Sequence, residues 1–266
     1  IIVALGFALT HLFDPNDYKD EIRQIARDKA HIELTLNGDI GWSLFPWLGL
    51  ELHDAAVATL AKPADPFADL QMLGLSVRVL PLLRREVQMS DVRVEGLNLR
   101  LNRDKDGHGN WEDIGKVPAT QATPPATAGE PAGETTAQVE KPAQPIRLDI
   151  DSLTVNNARV EYSDEKTGKQ FSAESIQLST GAVHDSTNIP VKLTAFLGTN
   201  QPVLRVRTEL NGELRFERAL QRYKFEDMKL TGEVAGDPLQ GKTMTFAAQG
   251  QLLLDKAANV AEWTGI

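Results

Sequence analysis

The sequence predicts a mainly β protein built from repeated antiparallel hairpins, and three observations lead there. Apolar residues recur at every second position in segment after segment, the pattern of strands with one covered face. Helical spacing occurs once, near the beginning. Two stretches of the chain also overlay without gaps, as hairpin units repeated in one sheet would.

Bulk composition narrows the function classes. The chain has 266 residues, 41% hydrophobic and 24% charged, the range of folded protein with a core. Lysine and arginine number 28 against 37 acids, a net charge of -9, so no basic field exists to hold phosphates and nucleic acid is not an expected partner. The absence of cysteine removes disulfides, thiolate nucleophiles and cysteine-ligated zinc.

In chain order, residues 1–13, IIVALGFALTHLF, are uncharged and mostly apolar. As a helix they would rise only about 20 Å against a hydrocarbon core of about 30 Å. They are read as the end of a longer membrane anchor, with a buried core helix or a signal-peptide remnant as the alternative. Asp14 and Pro15 then form a helix start, and Tyr18, Ile22, Ile25 and Ala26 keep helical spacing. This predicts one short amphipathic helix at the membrane surface.

From Ile32 the period becomes two. Ile32, Leu34 and Leu36 share a face, and the rhythm returns over 73–79, 92–94, 97–101, 191–197, 204–210 and 244–246. Arg78, Arg93, Glu95, Arg100, Arg205, Arg207 and Glu209 take the alternate positions, so each strand has a wet side. Residues 117–145 break the pattern: six of the 29 are proline and none is aromatic, the composition of a disordered linker. The chain thus divides into residues 1–13, a helix-plus-β part over 14–116, the linker 117–145, and a second β part over 146–266.

The two β parts are alike. DVRVEGLNLRLNRDKDG (residues 91–107) overlays SLTVNNARVEYSDEKTG (residues 152–168), so that Val92, Val94, Leu99, Leu101 and Gly107 meet Leu153, Val155, Val160, Tyr162 and Gly168. A weaker copy, residues 50–59, keeps Leu50, Leu52, Val57 and Thr59 at the same offsets.

Several motifs suggest chemistry and fail on context. GDPLQGKT (residues 236–243) satisfies the phosphate-loop template, but the flanking residues alternate as strands, with no helix to follow. It is read as a polar hairpin turn that brings Val234 beside Met244 or Phe246, and nucleotide is not an expected ligand. DKDGHGNWED (residues 104–113) begins like a calcium loop, yet Gly115 stands where a bidentate glutamate is required, so a hairpin turn that buries Trp111 is expected. Ser43 in GWSLF is read as a turn hydroxyl rather than a nucleophile. His11, His31, His53, His108 and His184 lack ligand spacing, and no carboxylate pair stands out for acid-base work. No catalytic residue, cofactor or metal is expected.

What remains is apolar surface. Leu153, Val155, Val160 and Tyr162 together would cost roughly 6 to 12 kcal/mol if left in water. One helix cannot cover many strands. Either the sheet closes on itself as a sandwich or barrel, or it curls into a groove whose lining an apolar ligand occupies.

FDPNDYK, GDIGWSLFPWLGLEL and DGHGNWED, with the DSLTVNNARVEY unit, strongly resemble the N-terminal region of the AsmA family of Gram-negative bacteria. The long Pro/Ala/Thr-rich insert departs from the family pattern. The resemblance implies an inner-membrane anchor, a periplasmic β body with a chorein-like N-terminal part, and a role in outer-membrane biogenesis. It also implies kinship with bridge-like lipid-transfer proteins, and so favours the open groove. Groove-lining candidates for phospholipid are then Leu34, Leu36, Val92, Val94, Leu99, Leu101, Leu153, Val155, Val160, Tyr162 and Phe246. The alternative is an assembly factor that contacts outer-membrane assembly proteins through exposed strand edges.

Overall fold

The computed structural model describes residues 14–43, 48–77, 89–112, 114, 150–217 and 220–265. The apolar run 1–13 and the linker 117–145 lie outside the described residues.

The helical segment starts as its capping residues dictate. Asp14 Oδ1 accepts the Asn16 N–H at 2.9 Å, and Pro15 opens a 3-10 turn over Pro15–Tyr18. Helix α1 (Lys19–Ile25) follows and widens into a π turn over Ala26–Ala30, which His31 ends in a left-handed conformation with φ 52°. Among the described residues no helix is long and apolar enough to cross a membrane.

Strands β1 (Ile32–Leu36), β2 (Ile40–Ser43), β3 (Leu48–Thr59), β4 (Ala68–Val77), β5 (Met89–Glu95) and β6 (Asn98–Arg103) form the first half. Strands β7 (Ser152–Asp164), β8 (Gln170–Thr180), β9 (Ile189–Asn200), β10 (Val203–Glu217), β11 (Arg222–Gly236), β12 (Thr243–Asp255) and β13 (Val260–Gly265) form the second. All belong to one sheet in the order β1-β3-β4-β5-β7-β8-β9-β10-β11-β12-β13, with β2 also on β3 and β6 on β4 and β7. Among the described residues the pairing path does not close: β1 pairs with β3 and β13 with β12. The described strands therefore form no hydrogen-bonded barrel. Ser43 pairs with Gly49 at the end of β2, a strand position rather than the expected turn.

All neighbours are antiparallel except at the seam between the halves, where β5 and β6 run parallel to β7. The partners there are Val92 with Leu153, Val94 with Val155, Leu99 with Val160 and Leu101 with Tyr162. These are the pairs of the gapless overlay, so the repeated residues lie side by side in the sheet. Polar pairs hold the seam: Ser152 Oγ donates to Asp91 Oδ1 at 2.6 Å and Ser163 Oγ to Asn102 Oδ1 at 3.0 Å.

Val94 and Leu99 are five positions apart, as are Val155 and Val160, and strict alternation would put the members of each pair on opposite faces. Between them stands a residue in left-handed conformation: Gly96 at φ 62° and Asn157 at φ 51°. The weaker copy has Asp54 at φ 48° at the same offset. Each one shifts the alternation by one residue, so Leu50 and Leu52 share a face with Ala55 and Val57, and Leu153 and Val155 with Ala158, Val160 and Tyr162. In β8 the crease becomes a bulge at Ser175, φ 50°, where the register slips between Glu174 and Gln177. Asp227, φ 49°, repeats the device in β11.

Core burial is concentrated at the first edge, where Leu36, Ile40 and Ala55 are buried with Leu34, Leu52 and Leu70 packed against them. Ala158, Ile189, Ala195 and Met228 are buried within the sheet.

Two outcomes test this description. Asn157→Val forces a β-branched side chain into left-handed backbone and is expected to destabilise the fold by about 1 to 2 kcal/mol, whereas Asn157→Gly stays within about 0.5 kcal/mol of wild type; urea denaturation followed by circular dichroism measures both. The second concerns Asp255, whose carboxylate accepts the Ala258 N–H at 2.9 Å and two donors of Arg222. The backbone N–H first, and Arg222 second, hold its pKa below the usual 3.8. The folded chain thus binds fewer protons here, so this stability is complete above the ordinary value and vanishes as pH falls through the lower folded one. Asp255→Asn should be less stable at pH 7 and lose less stability on acidification below about pH 4, read from thermal melts along a pH series.

Candidate functional site

The register assembles apolar side chains into rows that cross the strands. One row runs Leu34, Val57, Ala68, Leu99, Val160, Ala173, Leu197, Val206, Val234 and Met244, each directly opposite the next. A second runs Leu52, Leu73, Val94, Val155, Leu178, Leu193, Leu210, Leu230 and Ala248. Spaced at about 4.8 Å per strand, the first extends roughly 40 Å. Most of its members are half-buried; Leu197 and Met244 are exposed.

All eleven sequence candidates fall on this face. Leu34, Leu99 and Val160 belong to the first row, and Val94 and Val155 to the second. Val92 stands between Leu75 and Leu153, while Leu101 and Tyr162 lead through Phe171 and Thr199 to Leu204. Leu36 lies opposite Ala55 in the buried cluster and is core rather than open surface. Phe246 pairs with Gly232, where a Cβ would come 2.5 Å from the ring, so the ring lies against bare backbone. Phe225 over Gly212 and Trp263 over Gly250 repeat the arrangement. Such glycines let aromatic rings lie low on a sheet.

The DGHGNW motif closes one end of this face. Asn110 ties its loop back, its backbone N–H donating to the Asn102 carbonyl at 2.9 Å and its Nδ2 to that of Arg100 at 2.8 Å. Trp111 then meets Tyr162 at 6.0 Å between ring centroids, and Tyr162 meets Phe171 at 6.0 Å. Asp104 is used locally: its Oδ1 accepts the N–H groups of His108 and Asp106, which hold its pKa below the ordinary value, the His108 bond contributing most. Trp111 is half-buried, as a residue ending the turn on the apolar face must be.

GDPLQGKT is the polar hairpin turn that its flanking strands predict. Asp237–Leu239 forms a 3-10 turn, Gln240 and Gly241 have φ of 51° and 80°, and β12 begins at Thr243 with Val234 opposite Met244. A strand follows where a nucleotide cradle requires a helix N-terminus.

The opposite face is polar. Arg159 bridges Glu161 and Glu174, Lys192 pairs with Glu209, and Arg207 lies 5.9 Å from the centre of the Phe196 ring. Two concavities of about 960 and 1220 Å³ draw on both faces, the larger combining Arg205, Arg207 and Glu233 with Tyr162, Leu197 and Val206. The charged side chains suit water, so the candidate site is the continuous apolar rows, part of which borders the larger concavity.

Sequence reading left out Leu178, Leu193, Leu197, Val206, Leu210 and Leu230 as site members, although alternation marked most of their strands. It left β8 out as a strand, because the extra residue at Ser175 puts Phe171 and Ala173 out of phase with Ile176 and Leu178. A left-handed residue was the missing signal, and in this chain Asn, Asp, Ser and Gly supply it.

The chain is 21% identical over 278 residues to Protein AsmA of Escherichia coli (strain K12), an alignment covering 96% of this chain and 44% of that protein. It spans less than half the length of that relative. No solved structure matches it. The family model of the AsmA family matches residues 1–266, and the chain belongs to that family.

Proposed function

We propose that the apolar rows form a groove that carries the acyl chains of phospholipid, in a periplasmic body anchored at the inner membrane and serving outer-membrane biogenesis. One observation carries the reading: apolar side chains lie in register from β1 to β12 while most remain only half-buried. Leaving such a surface wet costs about 25 cal/mol per Å², and an aliphatic chain is an extended, featureless occupant that matches an extended, featureless row. The polar face keeps the other side of the sheet in water. Membership of the AsmA family supports the location and the process, through what the sequence resemblance implies.

The second reading, an assembly factor that adds a partner's strand, is favoured by β13. All of its residues are exposed, Val260 and Trp263 among them, and among the described residues it pairs only with β12. Photocrosslinking from β13 in cells separates the two readings by returning protein or lipid adducts.

Gentle purification followed by lipid extraction and mass spectrometry should recover phospholipid from the wild-type chain. Val160→Glu together with Leu193→Glu places charge in both rows and should lower the recovered lipid by roughly tenfold or more, while Arg205→Glu on the polar face leaves it unchanged. Recovery of no lipid from folded wild-type protein would overturn the proposal.

A further inference from the structure

The segment from Pro15 to Ala30 turns the wrong side inward. Helices packed on sheets bury their apolar stripe, yet this one has no buried residue and meets the sheet edge with polar groups. Asn16 brackets Ile40, its Oδ1 accepting the Ile40 N–H at 2.9 Å and its Nδ2 donating to the Ile40 carbonyl at 3.2 Å. Arg23 Nη2 donates to the Leu36 carbonyl at 3.2 Å, Lys19 reaches Asp39 at 3.4 Å, and Arg27 pairs with Glu33 at 2.6 Å. The Lys19 side chain is consequently 19% exposed, while Tyr18, Ile22 and Ile25 are 45, 37 and 60% exposed. The latter three sit at i, i+4 and i+7, an exposed stripe along one side of the segment.

We infer that Tyr18, Ile22 and Ile25 seat in the surface of a lipid bilayer and hold the first edge of the sheet against it. This rests on the membrane location proposed above and adds the contact that would orient the body. The occupant is indicated by the preceding sequence: residues 1–13 contain no Asp, Glu, Lys or Arg and immediately precede Asp14 in the sequence. Any apolar medium that receives them lies within about two turns of Tyr18 and Ile22. A tyrosine beside isoleucines suits the interface, where one end of the ring is wet. From Asp14 to Ala30 five acids face four bases, so insertion rather than attraction to anionic lipid drives the contact.

The chain lacks cysteine, so Ile25→Cys takes a single environment-sensitive fluorophore, and Arg205→Cys provides the control on the polar sheet face. With the 266-residue chain and vesicles of phosphatidylcholine, alone or mixed with phosphatidylglycerol, the label at 25 should shift to the blue and be quenched by nitroxide-bearing lipid. The label at 205 should remain aqueous, and neither added salt nor phosphatidylglycerol should change the shift at 25 by more than about twofold. Ile22→Ser combined with Ile25→Ser should reduce vesicle-bound protein about tenfold while the phospholipid extracted from the purified protein stays at the wild-type amount. A label at 25 that stays aqueous, or protein that does not bind the vesicles, overturns the inference. So does a label already shielded without vesicles, which would assign the stripe to residues 1–13 or to a second copy. Absence of extractable phospholipid with quenching at 25 intact would remove the groove reading and leave this one standing.

Discussion

One constraint governs the sheet: an apolar face can continue along a long strand only if every break in alternation is compensated. Five residues do this, Asp54, Gly96, Asn157, Ser175 and Asp227, each with φ between 48° and 62°. Without the shift at Asn157, Leu153 and Val155 would lie on the face opposite Val160 and Tyr162. The second half of β7 would then present its apolar residues to the water that Arg159 and Glu161 now face. Among the described residues the strands form one sheet, so no second sheet could absorb such an error.

The same device explains why the repeat forms the seam. Two strands can pair in parallel with matching rows only if their breaks fall at the same height, and Gly96 lies opposite Asn157 in the constant register of β5, β6 and β7. The Gly96 N–H donates to the Asn156 carbonyl at 3.0 Å, so the crease crosses the seam with a hydrogen bond intact. Gly96 is also where Gln71 of β4 crosses the chain, and a Cβ there would meet its side chain at 2.4 Å. One register therefore links β3, β4, the broken strand β5/β6 and β7 into a continuous surface.

Sequence legibility followed this logic. Regular strands announce themselves: Ile189, Val191, Leu193, Ala195 and Leu197 hold one parity through β9, as Leu204 to Leu210 do in β10. Strands with an inserted left-handed residue hide, because Phe171 and Ala173 look unrelated in phase to Ile176 and Leu178. The overlay of residues 91–107 on 152–168 succeeded where phase failed, since both copies carry the same interruption. Eight of the eleven groove candidates belong to that overlay, but their partners across the second half were not read as site members. Leu36 shows the reverse limit, since alternation alone cannot tell a buried cluster residue from an open one.

The two edges of the sheet differ, and that asymmetry is physical before it is functional. At the first edge, Asn16 and Arg23 satisfy backbone groups of Ile40 and Leu36 that would otherwise be open to another strand. Using the polar face of the helix for this task leaves its apolar stripe facing outward. A helix that capped the edge with isoleucines would have left those backbone groups unsatisfied, at about 1 to 3 kcal/mol for each one buried. Sheet capping and an outward apolar stripe are thus one arrangement. The helix that protects the edge from another strand is for that reason the element able to meet a membrane.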